Sequence, residues 1–355
     1  MRRPTRFVTA VVGMTAIAAI ALPGTAAGST AATPFVTAAR PFLVPLANGV
    51  TVQPVLTTGD VIGTGKHAYQ MSGVPDGIGW YESAPGVFEV YFNHELHASF
   101  DPSGARVSHI TLDANGAVTA GEYVIDGTEG YQWFCSSTLT MLDGVPWYTA
   151  GEESKHSPRQ GMAFAINAET GRVHNAPWFG HFGHENVVPV DGLSKAYVGL
   201  SEDGFSEYSQ LFAYIAKSWD GALHGTQGAL RVWVPDHRVK DGNPSSNDIE
   251  KGDRVAGHFV RIRDARHLAP LKLEKTVQAM GAWDFDRIED QVADPNDPGT
   301  IYFTETGRAN AYAPHGRVYR LRVDPSAPNH ATLSVLLDSN AGDDIFSPDN
   351  VGISV

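Results

Sequence analysis

The sequence predicts an all-β fold built from short antiparallel strands. Apolar and polar residues alternate in stretches such as GVFEVYF, ALRVWVP and RVYRLRV, and an alternation of period two is typical of strands with one buried face. The 37 glycines and 22 prolines suit a chain that turns often. Strands are expected at residues 86–92, 162–174, 195–200, 210–216, 229–235, 300–305, 317–323 and 332–338. Residues 251–275 show no clear pattern and are expected to form a polar loop.

The first residues predict an export signal. A positive start, MRRPTRF, precedes the apolar run VTAVVGMTAIAAIAL and the small-residue stretch PGTAAGSTAAT. This order is typical of a signal peptide, which we place at residues 1–32. The pair Arg2-Arg3 leaves the twin-arginine route open beside an ordinary positive start. We therefore expect a secreted, extracellular protein.

Composition excludes several classes of partner and bond. The formal net charge is −13, and loss of the three leader arginines lowers it to −16. Such a surface repels nucleic acid and anionic lipid. No later apolar stretch approaches the roughly 20 residues that span a bilayer, so we expect no membrane span. The single cysteine, Cys135, leaves no partner for an internal disulfide.

Polar clusters recur where the predicted strands end, at NHE 93–95, GEE 151–153, SED 201–203 and TET 304–306. Each follows another polar residue by 16 or 17 positions. The four pairs are Asp76 with Asn93, Cys135 with Glu152, Glu185 with Glu202, and Glu289 with Glu305. Units of about 50 residues made of short strands indicate β-propeller blades. The first strand of a blade starts on the same face of the propeller on which the second strand ends. Both members of a pair are therefore expected at the same rim of the central channel. Simple clustering of acids in turns is the alternative.

The recurring side chains suggest a ring of metal ligands. Its oxygen donors are Asn93, Glu95, Glu152, Glu153, Glu185, Glu202, Asp203, Glu289, Asp290, Glu305, Asp349 and Asn350. Carboxylates that converge raise one another's pKa unless cations separate them, and Ca²⁺ prefers oxygen ligands. Cys135 would call for a transition metal in the same ring, or else is a small buried apolar residue. HELH and HFGHE lack the two-histidine spacing of a helical zinc site.

A series of short motifs carries a family resemblance. PDGIGW, YFNHEL, Cys135 with GEE, FGHEN, YVGLSED, FDRIED, IYFTETG and SPDN occur in this order from about residue 70 onward. The series resembles the PhoX-type alkaline phosphatases. The resemblance implies a six-bladed β-propeller. Asn350 would start a further pair whose partner lies 17 residues on, so the last blade is expected to be incomplete in this chain. The same resemblance implies an active-site cluster of Fe³⁺ and Ca²⁺ ions bridged by an oxo group, which hydrolyses phosphomonoesters.

The resemblance also implies roles for particular residues. Its metal ligands would be Cys135, Glu185, Asp203 and Glu289, with Asn93, Glu95, Glu152 and Glu305 as further ligands. Arg287 would hold the substrate phosphate. Two positions depart from the family pattern, because Gly183 stands where serine is usual and Ile288 stands where proline is usual.

The sequence thus predicts a secreted alkaline phosphatase that acts as a monomer on small-molecule phosphate esters. Residues 33–355 would form its single catalytic domain. Two alternatives remain open. One is a calcium-dependent lactonase or phosphotriesterase of propeller type, in which Cys135 and Arg287 have no role. The other is a non-catalytic propeller that binds calcium for structural reasons.

Overall fold

The computed structural model describes residues 36–99, 101–204, 208–237, 243–309 and 314–353. The predicted leader lies outside these ranges. The described chain forms two compact units, a first unit that ends at Trp133 and a second unit that begins at Phe134. In the described part of the chain, no helix is long and apolar enough to cross a membrane.

The first unit is an antiparallel meander with a small two-stranded ribbon. Its strands are β1 Val61–Ile62, β2 Tyr69–Gln70, β3 Pro75–Ala84, β4 Val87–His94, β5 Arg106–Leu112 and β6 Val118–Ile125, with a 3₁₀ turn at Gly65–His67. Strands β3 to β6 pair in chain order. The alternating residues Val90, Phe92 and Ile110 face inward and pack with Tyr69 into one apolar core. This packing follows the period-two pattern that predicted the strands.

The second unit begins with a four-stranded antiparallel sheet. Its strands are β7 Ser137–Leu142, β8 Val145–Gly151, β9 Met162–Asn167 and β10 Arg172–His181, again paired in chain order. The stretch predicted as strand at 162–174 is the hairpin of β9 and β10, which turns at the ETG sequence.

The rest of the second unit forms a nine-stranded sheet. Its strands are β11 His184–Val190, β12 Ala196–Glu202, β13 Leu211–Ala216, β14 Gly228–Pro235, β15 Arg254–Arg261, β16 Ile288–Ala293, β17 Thr300–Glu305, β18 Arg317–Val323 and β19 His330–Asp338. The meanders β11–β14 and β16–β19 are joined by β15, which pairs with both β14 and β19.

Helical segments are few in the described residues of the second unit. They are α1 Trp219–Leu223, α2 Pro270–Ala279 and 3₁₀ turns at Ser246–Asp248, Ala265–His267 and Ser339–Ala341. The Ser218 side chain caps α1 by accepting from the backbone N–H of Gly221 at 3.1 Å. Helix α2 starts with a proline, which suits the first helical position, and buries Leu273 and Val277.

The predicted polar loop at 251–275 is wrong, because this stretch contains β15 and the start of α2. The alternation in RVAGHFVR is weakened by Gly257 and His258, so the segment looks polar as a sequence. Its strand conformation depends on two neighbours, since Trp233 of β14 lies opposite Phe259 and Ala331 of β19 lies opposite Gly257. Tertiary pairing therefore overrides a weak local preference here.

Aromatic side chains hold the strands of the second unit in place. Trp233 packs against Trp283 with ring centroids 5.5 Å apart, and Phe303 stacks on Tyr319 at 4.9 Å. All four are almost fully buried, and burying such a side chain stabilises a fold by about 1.5–3 kcal/mol. The strand ends that carry the polar clusters are thus anchored to a packed core.

Candidate metal centre

In the second unit, the members of each polar pair lie at the same end of a hairpin. Ser137 lies opposite Ala150 at the end of the β7–β8 pairing, two residues after Cys135 and two before Glu152. His184 is paired with Glu202, and Ile288 with Glu305. The spacing thus corresponds to one end of each hairpin, since antiparallel strands bring a start and an end together.

The first unit follows the same rule. Pro75 of β3 lies opposite His94 of β4, so Asp76 and Asn93 share one end of this hairpin. Asn93 is fully buried, and the backbone N–H of Glu95 donates to Val74 at 2.9 Å. A carboxylate oxygen of Asp76 lies within 4.8 Å of one of Glu95. The predicted ligands Asn93 and Glu95 thus lie close together within their own unit.

Five side chains of the second unit form what we term the carboxylate–thiol cluster: Cys135, Glu153, Glu185, Glu289 and Asp349. One ligand atom each of Cys135, Glu153 and Glu185 lie within 4.8 Å of one another, as do those of Glu185, Glu289 and Asp349. Cys135 Sγ is 3.0 Å from Glu153 Oε2. Glu185 belongs to both groups of three, so the cluster is continuous.

The members of the cluster differ in exposure. Cys135, Glu153, Glu185 and Glu289 are buried, whereas Asp349 is exposed. Acids are almost never fully buried unless something compensates their charge. Asp349 is thus the member of the cluster in contact with solvent.

Repulsion among the carboxylates is evident at Glu289. Burial raises the pKa of Glu289 well above its usual range, Asp203, Asp349 and Glu153 raise it further, and Arg287 opposes them. Such a site favours either a bound proton or a bound cation. The geometry and charge of the cluster therefore suit positive ions.

Arg287 lies beside the cluster in a strained conformation. Its Nη2 is 2.7 Å from Asp203 Oδ2 and 2.6 Å from Glu289 Oε1, and its Nε donates to Asp203 at 3.1 Å. The backbone φ of Arg287 is +65°, which costs a non-glycine residue about 1–2 kcal/mol. Its carbonyl accepts from the Thr306 N–H at 3.0 Å, which helps to hold this turn. Strain of this kind concentrates at functional sites.

Gly183 allows two strands to approach at the cluster. A Cβ at this position would lie 2.8 Å from the backbone oxygens of both Glu153 and Asp203. The Asp203 N–H also donates to the Gly183 carbonyl at 3.0 Å. The serine expected from the resemblance would not fit without a backbone shift, which gives a physical reason for the departure.

Glu152 and Glu153 have different partners. The Glu152 carboxylate accepts from the Gly161 N–H at 2.9 Å, and Glu153 is the acid that meets Cys135. Strand β8 ends at Gly151, beyond which side-chain direction no longer follows the strand pattern. Glu153 and Asp349 were included in the predicted ring but not among the assigned ligands. The sequence signal that could have identified Glu153 as a ligand was its position next to Glu152.

Glu305 belongs to a different set of contacts, which we term the Glu305 network. Its Oε1 accepts from Ser246 Oγ at 2.5 Å and from the Asp286 N–H at 2.6 Å, and its Oε2 accepts from the Tyr319 hydroxyl at 2.7 Å. Burial raises the pKa of Glu305, and the three donors act against that shift. Its carboxylate is therefore surrounded by the protein's own hydrogen-bond donors.

No protein-family model matches this sequence, and no curated protein matches it by sequence. Among solved structures, it is similar to Pseudomonas fluorescens PhoX in complex with vanadate, a transition state analogue, with a TM-score of 0.58, 14% identity and coverage of 80% of this chain and 73% of that one. A Synechocystis apocarotenoid oxygenase mutant (TM-score 0.29, 10% identity, 79% and 64% coverage) and a putative exo-β-1,3-galactanase from Bifidobacterium bifidum (0.28, 11%, 79% and 96%) are far less similar. The similarity to PhoX shows a shared fold and confirms the predicted all-β propeller class.

Proposed function

We propose that this protein is a secreted alkaline phosphatase that hydrolyses phosphomonoesters at the carboxylate–thiol cluster. The observation that carries the proposal is the meeting of a cysteine with four carboxylates in two overlapping groups around Glu185. The fold shared with a protein whose structure holds vanadate supports the choice of phosphoryl chemistry. Secretion is supported by the predicted leader.

The donor set fits the two proposed metals. Carboxylate oxygens suit Ca²⁺, whereas a thiolate suits a transition metal such as Fe³⁺. Cys135, Glu153 and Glu185 would hold iron, and Glu185, Glu289 and Asp349 would hold calcium. When bound, these ions supply Lewis-acid stabilisation of the charge on the phosphoryl oxygens. Asn93, Glu95, Glu152 and Asp203 remain proposed further ligands, and Glu305 is assigned a structural role instead.

Arg287 is proposed to bind the substrate phosphate. A guanidinium carries five N–H donors and can bind phosphate oxygens, and contacts of Nε and Nη2 with Asp203 and Glu289 hold Arg287 beside the cluster. Without its predicted leader the chain has a net charge of −16, which repels a phosphate dianion at long range. Arg287 and the bound cations would reverse that field locally.

The 3.0 Å contact between Cys135 Sγ and Glu153 distinguishes this proposal from its alternatives. A calcium-dependent lactonase or phosphotriesterase needs no thiol at its centre, and a structural calcium site needs none either. Substitution of Cys135 should then leave metal content and any turnover intact. The phosphatase proposal requires that both are lost.

The test is hydrolysis of p-nitrophenyl phosphate at alkaline pH by the purified protein, before and after EGTA, with iron and calcium measured by mass spectrometry. We expect turnover that EGTA abolishes, and a Cys135→Ala variant that loses iron and turnover together. Glu169→Gln, an exposed acid in the β9–β10 turn, is the matched control and should behave as wild type. Turnover of a lactone or phosphotriester alone, or activity that survives both EGTA and Cys135→Ala, would refute the proposal.

A further inference from the structure

A second feature of the second unit lies on its nine-stranded sheet. A cavity of about 670 Å³ is lined by side chains of β15, β18 and β19. We term it the arginine groove, after Arg254, Arg320 and Arg322, which line it with Thr332 and Ser334. Small-molecule sites have volumes of about 300–1,000 Å³.

The strand register fixes the arginines on one face of the sheet. Arg254 of β15 and Arg320 of β18 both lie opposite Ser334 of β19, one on each side. Arg322 lies opposite Thr332, in the next row of the same face. Directly opposite residues point to the same side of a sheet, and strands two apart are separated by about 10 Å. Three cationic side chains and two hydroxyls therefore share one small area.

The acids of the groove are already engaged. Asp236 is 2.7 Å from Nδ1 of His258, and Asp324 accepts from the backbone and side chain of Ser326 at 2.8 and 2.7 Å. Arg322 pairs with Asp297 at 2.8 Å. Arg254 and Arg320 are therefore the cations of the lining that face no acid at ion-pair distance among the described residues.

The positive charges of Arg254 and Arg320 are not neutralised by an adjacent acid among the described residues. Among the described residues neither forms an ion pair, and the buried Nε of Arg320 has no hydrogen-bond partner there. Arginine recognises phosphate-type oxyanions through its fork of N–H donors.

We propose that the arginine groove binds a small organic anion that carries two phosphate-type groups. One group would lie at Arg254 and the other at Arg320, with the hydroxyls of Ser334 and Thr332 between them. The two arginines lie on strands about 10 Å apart, a separation that an anion with two charged groups can span. The site is independent of the proposed phosphatase activity.

The test is calorimetric titration of the metal-loaded protein with hexane-1,6-bisphosphonate, whose C–P bonds resist hydrolysis. We expect it to bind at least about tenfold more tightly than methylphosphonate, because two charge-assisted contacts replace one. Octanedioate, a dicarboxylate with the same six-carbon spacer, should bind at least about tenfold more weakly than the bisphosphonate, because phosphonate offers arginine more charge and more acceptors.

Variants locate the site. Arg254→Gln and Arg320→Gln should each weaken bisphosphonate binding about tenfold or more, while Arg172→Gln, an exposed arginine of β10, should have no effect. Hydrolysis of p-nitrophenyl phosphate should be unchanged in Arg254→Gln. Equal loss in all three variants would indicate non-specific attraction and overturn the proposal. Wild-type binding in Arg254→Gln, or equally tight binding of octanedioate, would overturn it as well.

Discussion

The carboxylate–thiol cluster and the Glu305 network both place buried acids at the ends of paired strands, but the acids meet different neighbours. Glu305 is surrounded by a hydroxyl from Ser246, a hydroxyl from Tyr319 and a backbone N–H. Glu289 has Asp203, Asp349 and Glu153 near enough to raise its pKa, with Arg287 opposing them. The same sequence signal, an acid at a strand end, thus leads to two different environments.

The difference teaches how to separate a structural acid from a ligand. A carboxylate whose oxygens are all occupied by donors is part of the fold, and removing it leaves those donors unsatisfied. A carboxylate that faces other carboxylates weakens the fold until a cation is present. The two sites should therefore respond in opposite ways to mutation and to metal removal.

The largest effect is expected in the Glu305 network. Glu305→Ala removes the acceptor for three buried donors, so we expect the free energy of unfolding to fall by about 3–5 kcal/mol. Urea denaturation of the metal-free protein measures this change. Iron and calcium per folded molecule should stay at the wild-type value. Loss of either metal from folded Glu305→Ala would instead show that Glu305 is a metal ligand, and the contrast between a structural acid and a ligand would fail.

The next effect concerns Glu185, which belongs to both groups of three in the carboxylate–thiol cluster. Glu185→Gln keeps the shape but removes the charge, and we expect kcat/KM for p-nitrophenyl phosphate to fall by at least about 100-fold with loss of bound metal. The metal-free variant should unfold no more easily than metal-free wild type. Retained metal and activity would contradict the assignment. Glu169→Gln again serves as the control.

Arg287 sharpens the comparison because it both neutralises acids and is proposed to bind substrate. Arg287→Lys retains the charge near Asp203 and Glu289 but loses the bidentate fork. We expect KM to rise by about tenfold while metal content stays constant. Steady-state kinetics with metal analysis of the same samples measures both quantities. Loss of metal in Arg287→Lys would show that its role is to hold the ligands.

The smallest effect tests an acid held by donors near the Glu305 network. Burial raises the pKa of Asp284 from its ordinary value to about 6, and its Oδ1 accepts from Gln210 at 3.0 Å and Gln278 at 2.6 Å. The folded protein therefore binds a proton that the unfolded chain releases near pH 4. The stability that Asp284 contributes is full below pH 4 and is lost as the pH rises through 6.

Asp284→Asn cannot ionise and keeps the acceptor for both glutamines. We expect it to raise the free energy of unfolding by about 2 kcal/mol at pH 8 and to change it little at pH 4. Denaturation curves at the two pH values measure the difference. An equal change in the free energy of unfolding at both pH values would mean that ionisation of Asp284 is not what destabilises the fold.

The hairpins were predictable because their signals are local. Alternation over a few residues and nearby turn residues give each strand, and the spacing from Cys135 to Glu152 then follows from the length of a hairpin. The all-β class and the shared edge of each polar pair needed no information from distant parts of the chain.

The composition of the site was less predictable because it depends on distant contacts. Asp349 meets Glu185 through tertiary packing that no local pattern encodes. Glu153 lies past the end of β8, where strand periodicity stops, so the choice between it and Glu152 was not available from spacing. Strand β15 depends in the same way on β19, which lies far along the sequence.

Gly183 has a consequence for how the site would load. Since the backbone oxygens of Glu153 and Asp203 leave no room for a side chain at Gly183, main-chain contacts set the separation of the segments that carry these acids. The entropic cost of ordering the ligands is therefore incurred during folding rather than during ion binding. A preorganised site of this kind should keep its spacing between successive ions and release them slowly, because departure relaxes little of the surrounding backbone.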